Sequence, residues 1–152
     1  MALPAVPADA AAQLQWLVDR AAISDLLDEY ARCVDDRDWE AFAALFLADG
    51  VLEVAGVRLE GERIVTAGDL LAGYDATHHA SANQAIHVDG DRASATARVI
   101  ATHVPDRRLP AVHGDMGGEY ACSLQRTDAG WRFAHVRSRT VWTSGTDLPG
   151  RR

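Results

Sequence analysis

The chain has 152 residues, is 48% hydrophobic and carries a net charge of −7, with 22 acidic against 15 basic residues. That apolar content suits one globular domain with a core of its own. The basic residues are scattered, apart from Arg107-Arg108 and Arg151-Arg152, so neither nucleic acid nor an anionic membrane surface is an expected partner.

Residues 1–12 are rich in Ala and Pro, with no basic start and no long apolar run. They read as a flexible arm, neither a signal peptide nor a membrane span, and a cytoplasmic protein is expected. Helical periodicity begins near Gln13. Ile23, Leu26, Leu27, Tyr30, Ala31 and Val34 recur at helical spacing, with Asp25, Asp28, Glu29 and Arg32 on the facing side. This predicts an amphipathic helix that covers something apolar.

Asp38 is a suitable N-cap for a second helix over residues 39–47, and Asp49-Gly50 should end it. A short strand over 51–54, a turn at Gly56 and a return over 57–59 follow. A third short helix is expected over 69–74. The pattern then turns extended, with strands over 80–88, 93–104, 117–127 and 131–143. Asp89-Gly90-Asp91 and Asp128-Ala129-Gly130 mark two of the turns between them. Residues 105–110 form a loop, and 144–152 a flexible tail. The two cysteines, Cys33 on the helix and Cys122 in a strand, make neither a disulfide framework nor a zinc set; reduced core thiols are expected.

Helices first and a run of antiparallel strands after them define an α+β domain over residues 13–143. Such a sheet, curling around the helices, leaves an apolar cavity between them. On the 93–104 strand, alternation puts Ala95, Ala97, Val99, Ala101 and His103 on one face. The alanines fill little volume, which leaves either room for a ligand or space that helix side chains fill.

Asp35 ends the helix stripe. It is either a capping carboxylate, one of three acids with Asp36 and Asp38, or the partner of a histidine. A carboxylate that accepts from one ring nitrogen fixes the tautomer and stabilises the imidazolium. His79 begins a strand and can take a proton near neutral pH. His78 should point the other way, and His103 inward. Tyr30, Tyr74 and Tyr120 are core or rim residues, or donors to a substrate. His113-Gly114-Asp115 has no spacing that fixes a metal set with the other histidines, and no Gly-rich loop marks a nucleotide cofactor.

Three segments carry a family resemblance: ISDLLDEYARCVDDRDWEAFAALFLADGV from Ile23, THHASANQAIHVDGDRASATARVIATHV from Thr77, and GGEYACSLQRTDAGWRFAHVR from Gly117. In order and spacing they resemble the SnoaL-like group, which includes scytalone dehydratase, within the nuclear-transport-factor-like superfamily. The resemblance implies a cone-shaped, curved, largely antiparallel sheet wrapped around N-terminal helices, with an apolar pocket in the cone. It also implies that Asp35 and His79 pair, and that His103 matches a second active-site histidine. Where scytalone dehydratase has tyrosines that hold a water against the substrate carbonyl, this chain has Val34 and Val54, so its pocket should be more apolar.

The function expected is that of a cofactor-independent lyase or cyclase, a dehydratase, cyclase or isomerase, acting on a small apolar cyclic or polyketide-like molecule. His79 would take a proton from carbon, Asp35 would orient it, and His103 would protonate the leaving hydroxyl or the enolate. Tyr30, Val34, Val54, Asn83 and Tyr120 would contact the substrate. The alternative is a binding or assembly module without chemistry, such as an oxygenase small subunit, although Thr96, Arg98 and Thr102 make the outer face polar. A homodimer or homotrimer would cover that face.

Overall fold

The computed structural model describes residues 5–146. The expected arm (1–12) and tail (144–152) therefore lie partly outside the described residues. Helix α1 (Ala10–Asp36) starts earlier than the periodicity predicts, because Asp9 accepts from the Ala12 amide and three alanines follow it. It ends where Arg37 turns left-handed (φ 61°) and the Asp38 amide reaches back to the Cys33 carbonyl at 2.9 Å.

Asp38 caps α2 (Trp39–Ala44), its side chain accepting from the Ala41 amide. This helix is shorter than expected. The Leu45 carbonyl takes a hydrogen bond from the Phe133 amide at 2.9 Å, and the chain continues as strand β1 (Phe46–Val54). Gly50 sits inside that strand. A Cβ there would meet the Leu47 carbonyl at 2.9 Å and the Phe133 carbonyl at 3.2 Å, so a close backbone approach sets this position. A left-handed pair, Ala55 and Gly56, turns the chain into β2 (Val57–Glu60). The expected helix over 69–74 is instead a 3-10 segment, Gly61–Leu71.

The remaining strands are β3 (Ala76–Asp89), β4 (Arg92–Val104), β5 (Gly114–Thr127) and β6 (Gly130–Gly145). One mixed sheet results, in the order β2-β1-β6-β5-β4-β3. The β1–β6 pair is parallel and the others are antiparallel. The sheet curves but does not close, since β2 and β3 remain edges. The fold is thus the α+β cone that the sequence implies.

The α1 stripe packs into the cone. Ile23, Leu26, Leu27, Tyr30 and Val34 share one buried core with Ala93, Ala95, Ala97 and Val99 of β4. Tyr30, Phe42, Phe46 and Phe133 form a ladder of aromatic contacts, with Tyr30–Phe133 ring centroids 6.0 Å apart and Phe46–Phe133 5.4 Å. At the other end, buried Asp19 accepts from Arg126 at 2.6 and 2.8 Å and from the Trp131 indole at 3.1 Å. The Arg126 hydrogen bonds hold its carboxyl below the ordinary range. Arg126→Met leaves that carboxylate with only the indole and Gln15; the expected loss is about 1–3 kcal/mol, read as a lower urea midpoint.

The outer face carries Arg98, Glu119 and Arg139 as one ionic group, with Ile100, Val141 and Trp142 exposed. No helix among the described residues is long and apolar enough to cross a membrane.

Candidate active site

β3 is an edge strand, so every second amide along it lacks a neighbouring strand. The end of α1 covers this edge. Asp35 Oδ2 accepts from the His79 backbone amide at 2.8 Å. Its Oδ1 accepts from the Thr77 hydroxyl at 2.9 Å and meets His79 Nδ1 at 2.7 Å. Asp35 is therefore not the capping acid; Asp38 is.

Burial by itself would raise the Asp35 carboxyl, but the hydrogen bonds from the His79 ring, the His79 amide and Thr77 outweigh it and hold it below its ordinary value. An ionised carboxylate only accepts, so Nδ1 must be the donor. Nε2 is then the nitrogen with a free lone pair. His79 lines a cavity of about 800 Å³.

His103 lies across from His79 with ring centroids 5.7 Å apart and packs on Tyr74 at 4.9 Å. It is buried, and its Nδ1 has no hydrogen-bond partner among the described residues. Burial first, then the charge on His79, lowers its pKa from 6.5. Desolvation therefore favours the neutral ring at His103. Below pH 6.5 the unfolded chain takes up a proton that folded His103 resists, so stability should fall as the solution is acidified. His103→Gln should flatten this loss between pH 7 and pH 5, as measured by urea midpoints. An unchanged slope would remove His103 as its source.

Buried and half-buried apolar side chains make most of the cavity wall, among them Val34, Trp39, Phe42, Leu52 and Met116. Gly118 is set by a close approach: a Cβ there would meet the Arg139 carbonyl at 2.6 Å and the cavity-lining Met116 sulfur at 2.9 Å. Exposed lining residues at Ala55–Val57, Asp69 and Gly73 mark the opening.

Of the residues expected to contact substrate, Tyr30, Val34, Val54 and Tyr120 line the cavity. Asn83 does not. It is exposed, with φ 52°, at a bulge in β3 where the pairing jumps from Ala82 to Ala85. Asparagine tolerates this left-handed backbone, and the extra residue switches the inward positions from Thr77 and His79 to Ile86 and Val88. His78 is exposed, as alternation predicts. Two site residues escaped the sequence reading. Thr77 could have been found from its place two positions before His79, on the same strand face. Ser138, which lines the cavity opposite Tyr120, needed a strand register that no motif supplies. His113 donates from Nδ1 to the Pro110 carbonyl at 2.8 Å, and no cluster of potential metal ligands occurs among the described residues.

A curved sheet closed on one side by helices, with a carboxylate–histidine pair inside the cone, defines a class of small α+β pocket proteins. The model of the SnoaL-like domain matches residues 15–137, and the chain belongs to that family. A provisionally assigned scytalone dehydratase of Novosphingobium aromaticivorans is 25% identical, with a TM-score of 0.76 over 87% of this chain and 90% of that one. A provisionally assigned aromatic ring hydroxylase of the same organism is 28% identical, with a TM-score of 0.76 over 86% and 94%. The hexachlorocyclohexane dehydrochlorinase of Novosphingobium barchaimii shares the fold at 20% identity, with a TM-score of 0.74 over 88% and 93%. No curated protein matches the chain.

Proposed function

We propose that this protein is a cofactor-independent acid–base enzyme, a lyase or cyclase, for a small and largely apolar cyclic or polyketide-like molecule. The observation that carries this reading is the 2.7 Å contact between Asp35 and His79 Nδ1 on the wall of an apolar cavity. His79 Nε2 takes a proton from carbon beside a carbonyl, and the electron pair moves onto the carbonyl oxygen. In a lyase, the enolate then expels a hydroxyl on the next carbon. In a cyclase, it attacks a second carbonyl and closes a ring. Asp35 holds the ring in place and stabilises the imidazolium. The proton returns from His79 to the leaving or newly formed oxygen, while neutral His103 provides a hydrogen bond. The likeness to the scytalone dehydratase neighbour supports elimination as the first chemistry to assay.

The test needs no knowledge of the natural substrate. A panel of cyclic ketones headed by 1-tetralone is incubated in D2O, and exchange of the protons beside the carbonyl is followed by NMR. Catalysed exchange is expected. A protein that binds these ketones without accelerating exchange is a binding module, and the enzymatic reading fails.

A further inference from the structure

The hydrogen bonds that Asp35 accepts are divided unevenly between its two oxygens. Oδ2 takes one, from the His79 amide at 2.8 Å. Oδ1 takes two, from the Thr77 hydroxyl at 2.9 Å and from His79 Nδ1 at 2.7 Å. Thr77 and the His79 ring therefore share one acceptor atom. Among the described residues no arginine meets this carboxylate, so two residues of β3 hold it. Of the three side chains, His79 lines the cavity, and Asp35 and Thr77 stand behind it.

The backbone that carries the hydroxyl is anchored on both sides. The Asp75 amide donates to the Val104 carbonyl at 2.9 Å, and Arg37 donates to the Tyr74 carbonyl at 3.1 Å, just before β3 begins. In the β3–β4 ladder Thr77 lies opposite His103, and His79 opposite Ala101. The branched Cβ of threonine narrows the choice of χ1, and its hydroxyl has a single proton to give. The electrostatic consequence has a definite sign. A carboxylate beside an imidazole favours the charged ring, and a charged ring has no lone pair with which to take a proton. A second donor on the same oxygen draws charge away from the bond to Nδ1 and weakens that preference. Against burial, which alone would raise it, the Asp35 carboxyl is held low by His79 and then by Thr77.

We propose that Thr77 is a positioning residue for the general base: by sharing Asp35 Oδ1 with the ring, its hydroxyl fixes the carboxylate and limits how strongly that carboxylate holds the charged form of His79. This rests on the acid–base reading above and adds what sets the pH at which the base is free. The other charged or titratable groups around the pair do not compete for Oδ1. His103 of β4 has its ring centroid 5.7 Å from that of His79. At the end of α1, Asp36 is exposed, Arg37 is turned to the Tyr74 carbonyl, and Asp38 is bound to the Ala41 amide. Tyr74 and Tyr120 line the same cavity, and burial raises the pKa of both, so they stay neutral.

Deuterium exchange into 1-tetralone is followed from pH 5 to pH 9 for the wild type, Thr77→Val and Thr77→Ser. Valine keeps the branched shape and removes the donor. The rising limb of its profile should lie at higher pH than that of the wild type by about 0.5–1, the size of one hydrogen bond. Its deficit should shrink as the pH rises. Serine, which returns the hydroxyl, should return the limb. A second readout needs no turnover: in ¹⁵N-histidine-labelled protein at pH 7, more His79 rings should carry both protons in Thr77→Val than in the wild type. If Thr77 only braced the end of α1 against β3, its loss would let the carboxylate drift from the ring and move both readouts the other way. A limb and a ring protonation that stay in place, or that move toward lower pH, overturn the inference and leave His79 as the base. No exchange in any of the three proteins, with the NMR difference present, overturns the acid–base reading and leaves the coupling of Thr77 to the dyad standing. Thr77→Ala carries both readouts if valine is not accommodated.

Discussion

His79→Ala should reduce catalysed exchange by about 10²–10⁴-fold, the usual contribution of one positioned general base. Its imidazole is the ring on the cavity wall that Asp35 holds, with Nδ1 on the carboxylate and Nε2 left to accept a proton. Asp35→Asn should cost at least about 10²-fold while leaving the ring in place. An amide can donate to Nδ1, which would move the ring proton to Nε2 and remove the lone pair from the cavity. The Asn variant also loses one of the acceptors that now serve Thr77 and the His79 amide, so its stability is measured in parallel. Exchange rates within threefold of wild type in both variants would rule out the dyad as the base.

Phe133→Ala should destabilise the fold by about 3–5 kcal/mol, the largest effect expected of any single truncation here. The ring is wholly buried, packs on Tyr30 and Phe46, and stands where β6 meets β1 in parallel pairing. A urea midpoint close to wild type would mean that the aromatic floor collapses easily, and that the cavity is less rigid than its packing implies.

The parts of this architecture that are legible in the sequence are those set by local period. Ile23 to Val34 repeat at helical spacing, and Ala95 to His103 alternate, so their buried faces can be read directly. Asp35 and His79 are 44 positions apart, and no local rule joins them. Their pairing was expected through family resemblance, and the geometry brings the two side chains together because β3 is an edge that α1 covers. Other features depend on tertiary contact and were misread. Residues 45–47 look helical on their own, but the Phe133 amide claims the Leu45 carbonyl and Phe46 enters the sheet. Asn83 resembles a site residue by its distance from His79, but a bulge turns it outward.

The most direct test is NMR of the His79 ring nitrogens in ¹⁵N-histidine-labelled protein at neutral pH. A proton fixed on Nδ1 and a bare Nε2, with that arrangement lost in Asp35→Asn, is the predicted outcome. A proton resident on Nε2 in the wild type would leave His79 without a bare nitrogen to take the substrate proton and contradict the mechanism at its first step.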